Sequence, residues 1–134
     1  MLSKLSKDKT FYTCLTLAPI FWFILSCFIP INQSFQIGSF IILQSFCWPL
    51  VEEIIFRGFI QKYISNKFKA NKIAPILLTS ILFSFCHLYI HSFLWAGAVF
   101  FPSLIFSYFY QKYQSIIPSY LLHAWYNFGL FILF

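Results

Sequence analysis

Five apolar runs occupy residues 11–30, 37–60, 73–90, 93–110 and 116–134, with short polar joints between them. Each approaches the ~20 residues that an α-helix needs to cross hydrocarbon, where every backbone polar group must be paired within the protein. The pattern predicts an all-α polytopic membrane bundle of about five transmembrane helices. Composition agrees: 60% of the residues are hydrophobic and 9% are charged, for a mean hydropathy of +0.80. So little polar surface could not cover a water-soluble globule. No repeat, linker or low-complexity tract interrupts the pattern, so residues 1–134 are expected to form a single membrane-embedded domain.

Nine basic residues against three acidic ones give a net charge of +6. On a soluble chain such a balance would suggest nucleic acid, but here the lysines fall between apolar runs, so the expected partner is membrane lipid and no nucleic acid. With the N-terminus in the cytoplasm, Lys4, Lys7, Lys9, Lys62, Lys67, Lys69, Lys72 and Lys112 all lie on the inner side. The opposite joints, around Asn32-Gln33-Ser34 and His91-Ser92, carry no Lys or Arg, as the positive-inside rule requires. The first apolar run is long and lacks an A-x-A cleavage site, so it is expected to stay as a span. Cys14, Cys27, Cys47 and Cys86 form no C-x-x-C pair and are expected to be buried thiols. A bacterial cytoplasmic membrane is the expected location.

Against this background Glu52 and Glu53 stand out, because they are adjacent acids inside the second run. Insertion of an acidic residue at mid-membrane costs about 2.5–3.5 kcal/mol, so such residues usually face a polar cavity. Glu53 precedes Arg57 by four residues, the favourable acid-first order for an ion pair on one helix face. Glu52 is turned about 100° away. A neighbouring negative charge and a low dielectric both raise a carboxyl pKa toward the range of a general base, which makes Glu52 the candidate catalytic carboxylate. Pro49 removes a backbone bond to Ser45 and is expected to open the helix one turn earlier. The plainer alternative is a buried Glu53–Arg57 salt bridge with Glu52 reaching toward the headgroups.

Histidines supply the other polar groups. His87 follows Phe83 by one turn in the third run, where it either serves a site or simply bonds a backbone carbonyl. His91, four residues on, gives a metal-compatible spacing, but the reading places it in the outer joint with no H-E-x-x-H motif. In the last run His123 and Asn127 share one helix face, from which they could donate hydrogen bonds to an oxyanion, or His123 could ligate a metal.

Three segments, Glu52-Glu53-Ile54-Ile55-Phe56-Arg57, Phe83-Ser84-Phe85-Cys86-His87 and His123-Ala124-Trp125-Tyr126-Asn127, occur in that order on successive runs. Together they resemble the motifs E-E-x-x-x-R, F-x-x-x-H and H-x-x-x-N of the CAAX protease and bacteriocin-processing family of intramembrane proteases, also called the Abi family. The likeness covers residues 40–134. It implies peptide-bond hydrolysis in a membrane-associated or small secreted substrate, with Glu52 and His87 activating water and His123 and Asn127 stabilising the oxyanion. Glu53 and Arg57 would hold the site together. No cofactor is favoured; zinc held by Glu and His side chains is the alternative chemistry of the resemblance. Typical members have more helices, so a homo-oligomer or a partner membrane protein is expected to complete the walls. A non-enzymatic immunity or scaffold protein of the same fold is the competing reading, and a small proton-coupled transporter using Glu52 is a third.

Overall fold

The computed structural model describes residues 2–28, 30–31 and 38–134. The outer joint around Asn32-Gln33-Ser34 lies outside the described residues. Six helices follow in order: a short α1 (Leu2–Leu5), α2 (Lys9–Ser26), α3 (Ser39–Lys67), α4 (Ile73–His87), α5 (Phe93–Tyr113) and α6 (Ile116–Leu133). No strand occurs among the described residues. Four of them, α2, α3, α5 and α6, are long and apolar enough to cross a membrane, whereas α4 is an apolar helix of 15 residues. The chain is therefore an integral membrane protein of the all-helical class, with the third apolar run forming the one shorter helix.

Local chemistry sets the ends. Asp8 accepts from the Thr10 N–H at 3.1 Å and caps α2, Asn71 accepts from the Ile73 and Ala74 N–H groups at 2.9 and 3.0 Å ahead of α4, and Ser92 accepts from Trp95 N–H to begin α5. Gln114 ends α5 in the left-handed region, φ 51°, and its N–H returns to the Tyr110 carbonyl at 2.7 Å.

The described residues group into two compact units, one of residues up to Leu50 with Leu121–Phe134 and one of Val51–Tyr120. In the first, aromatic donors of α2 and α6 reach each other's backbone. Trp22 Nε1 donates to the Tyr126 carbonyl, Trp125 Nε1 to Leu15 and Tyr126 Oη to Cys14, each at 3.0 Å. These bonds use carbonyl lone pairs that a helix leaves spare, so two apolar helices gain specificity without a charge. Gly129 makes room for this, because a Cβ there would collide with the Trp22 indole. In the second unit, Phe83, Phe106 and Phe109 are buried, as are the polar side chains of Arg57 and Gln61.

Candidate active site

Glu53 and Arg57 pair as the spacing requires. Glu53 Oε1 lies 3.1 Å from Arg57 Nη1, and both side chains have no exposed surface. Arg57 is held on three sides. Its Nη2 donates to the Ser103 hydroxyl at 2.9 Å and to the Ser103 carbonyl at 3.2 Å, and its guanidinium lies over the rings of Phe83 and Phe106, 4.8 and 5.6 Å from their centroids. A buried guanidinium needs such company, since an isolated charge in a low dielectric is costly. Arg57 is thus a cross-link between α3, α4 and α5.

Glu52, one residue earlier, is partly exposed where Glu53 is fully buried. That difference follows from the helical rotation between adjacent residues. Glu52 lies within electrostatic reach of His91.

His87 sits at the C-terminal end of α4, its ring packed on Phe83 with centroids 4.5 Å apart, and Phe83 in turn meets Phe56 edge-on at 5.0 Å. The Nδ1 atom of His87 is 2.9 Å from the Phe83 carbonyl. A carbonyl oxygen can only accept, so Nδ1 carries the proton and Nε2 of the neutral ring is the acceptor. The backbone bond of the plainer alternative for His87 is present, and it fixes the tautomer that a base would need. The spacing places His91 in the outer joint. It does lie in the turn after α4, but its ring stacks on His87 at 6.0 Å and 20°, and lies 5.5 Å from Trp95. The turn carries its backbone N–H back to the His87 carbonyl at 2.8 Å, which brings the ring over His87. Loss of solvent and then the neighbouring His87 lower the His91 pKa, while Glu52 opposes the shift.

In the other unit, His123 is buried on α6 with 3% of its surface exposed. Asn127, one turn on, donates through Nδ2 to the Gln44 carbonyl at 3.3 Å. The state of α3 explains why that carbonyl is available. Residues Leu43–Cys47 are wound as a π-helix, so the Trp48 N–H bonds Leu43, five residues back. Gln44 would then look to residue 49, which is Pro49 and has no N–H. The opening expected from proline is present, and Asn127 uses it. One amide hydrogen of Asn127 stays outside this bond.

Spacing within one helix does not identify the polar residues that meet between helices. Gln61 Nε2 donates to the Ser107 carbonyl at 2.8 Å, Ser65 Oγ donates to Gln111 Oε1 at 3.0 Å, and Ser80 and Ser107 hydroxyls share a bond of 3.2 Å. The signal was there as Ser103, Ser107 and Gln111 at four-residue intervals in an otherwise apolar run. Among the described residues no three His, Cys, Asp or Glu side chains gather as a metal-ligand set. No step below is routed through a metal.

Residues 34–129, more than half of the chain, match the family described as Type II CAAX prenyl endopeptidase Rce1-like. No curated protein and no solved structure matches the chain.

Proposed function

Because the chain belongs to the Rce1-like family of type II CAAX prenyl endopeptidases, we propose that it is an intramembrane endopeptidase that cleaves near the C-terminus of a prenylated or otherwise membrane-associated protein. A bacterial cytoplasmic membrane is the proposed setting. The observation that carries the reading is the division of labour between adjacent acids: Glu53 is committed to Arg57, and Glu52 lies within electrostatic reach of His91, whose ring stacks on His87.

In this mechanism Glu52 takes a proton from water, with His87 Nε2 accepting the second hydrogen bond and orienting the attack on the scissile carbonyl. His123 and Asn127 donate hydrogen bonds to the developing oxyanion, the charge that most needs stabilising in a low dielectric. The carbon–nitrogen bond of the tetrahedral intermediate then breaks as Glu52 returns its proton to the departing amine, giving a carboxylate and a free amine. Glu53 and Arg57 keep the acid-bearing turn in place throughout.

The test is Glu52→Gln, which preserves size and hydrogen-bonding capacity while removing the base. It is expected to insert and accumulate normally, and to lower kcat on an internally quenched farnesylated peptide by at least about 10³-fold. Undiminished cleavage would remove Glu52 as the base, and a parent protein that cleaves nothing would leave the non-enzymatic immunity or scaffold reading in place. Stoichiometric zinc in active protein, lost to a chelator together with activity, would overturn the metal-free chemistry.

A further inference from the structure

The geometry points to Ser103 of α5 as a positioning residue for the catalytic site, acting through Arg57. The inference rests on the protease reading above. None of the three motifs lies on α5, yet Ser103 offers Arg57 both its hydroxyl and its carbonyl, at 2.9 and 3.2 Å, in a spot with no exposed surface. Without the hydroxyl, Nη2 keeps one longer bond, and the guanidinium is free to slide on the Phe83 and Phe106 rings. Its ion pair with Glu53 then no longer fixes the turn that carries Glu52.

The height of Ser103 is itself set. Arg57 to Ser103, Gln61 to Ser107 and Ser65 to Gln111 each join residues 46 apart in sequence. A constant offset means that the two stretches run parallel and in register. Steps of four residues on both sides place three polar rungs along one seam. Slipping α5 by a turn would put Ser107 opposite Arg57 and leave Ser65 facing a position beyond the end of α5, so the Ser65–Gln111 rung is the one that marks the register.

The experiment compares kcat and KM of purified full chain in nanodiscs, using an internally quenched farnesylated peptide, for Ser103→Ala, Ser103→Thr, Arg57→Lys and the Arg57→Lys, Ser103→Ala double variant. Ser103→Ala is expected to lose on the order of tenfold in kcat with KM unchanged, as loss of one hydrogen bond to a charged group would produce. Ser103→Thr restores the rate, and Ser103→Ala adds no further loss in the Arg57→Lys background. An unchanged kcat in Ser103→Ala, or losses that multiply in the double variant, overturns the inference. If Ser103→Ala does not accumulate, Ser103→Cys carries the same comparison, because sulfur is a weak acceptor. Glu52→Gln in the same assay separates the two levels. An inert parent protein overturns the protease reading and this inference with it, cleavage that survives Glu52→Gln overturns the role of Glu52 and of the turn that Ser103 would position, and loss in Glu52→Gln beside a normal Ser103→Ala overturns only the role of Ser103.

Discussion

His91 is a reporter of the residues around it, because its charge is felt by one acid and one base that face it. Desolvation and His87 push its pKa below the ordinary 6.5, while Glu52 pulls the other way. Following the imidazole resonances by NMR should therefore find His91 losing its proton below pH 6.5, about the free-histidine value. In Glu52→Gln the midpoint should fall further, and in His87→Phe it should rise. An unmoved midpoint in Glu52→Gln would place the carboxylate out of reach of the histidine pair. The same shift has a sign for stability: a depressed histidine pKa means the folded chain binds fewer protons than the unfolded one in the window just below pH 6.5. Its contribution to stability is thus present above that window and lost as the pH falls through the lowered value. At this scale the sequence was informative wherever two residues shared one helix. Glu53 with Arg57 and Phe83 with His87 both follow from a spacing of four. Ser103 did not, since a serine in an apolar run has no meaning until its neighbouring helix is known.

Helix α3 shows what a local reading can and cannot see. Pro49 announced an opening, and Leu43–Cys47 is wound wide as a consequence. The second wide stretch, Ile54–Gln61, contains no proline. Its cause is tertiary. In an α-helix, residues four apart drift by about 40° per step, so Glu53, Arg57, Gln61 and Ser65 would spiral through roughly 120°. Wider winding holds that row nearer to one line, which lets Arg57, Gln61 and Ser65 all meet α5. Wide turns of this kind are common at functional sites, and here the hydrogen bonds across the seam offset the poorer winding. The proline segment yields a prediction with two signs. Pro49→Ala returns an N–H to the helix and gives the Gln44 carbonyl a helical partner that competes with Asn127 for it. Thermal stability in detergent should hold or rise, because proline in a helix interior costs about 3 kcal/mol, while cleavage should fall by about tenfold. A fall in both together would mean that proline serves only packing.

On the scale of the whole molecule, hydropathy gave the helices and their order, since lipid leaves the backbone no other way to cross. It did not reveal two compact units, because their limits fall at Leu50 and Tyr120, inside α3 and α6, where no linker composition marks them. Nor did it reveal that the third run stops short. At 1.5 Å per residue, the 15 residues of α4 rise only about 22 Å, against roughly 30 Å of hydrocarbon. The turn that follows makes up the difference in kind: Tyr89, Ile90 and Phe93 are 95%, 78% and 84% exposed, a costly display in water and a natural one in acyl chains. The side chains of Tyr89, Ile90 and Phe93 are therefore expected to reach into the outer leaflet and to keep His87 away from bulk water. Labelling tests it. In a background with Cys14, Cys27, Cys47 and Cys86 replaced, Tyr89→Cys should react slowly with a membrane-impermeant maleimide and quickly with a lipid-soluble one. Ala70→Cys, in the lysine-rich turn at the other end of α4, should react quickly with the impermeant reagent applied from the cytoplasmic side. Rapid impermeant labelling at residue 89 would put the turn in water and expose the histidine pair with it.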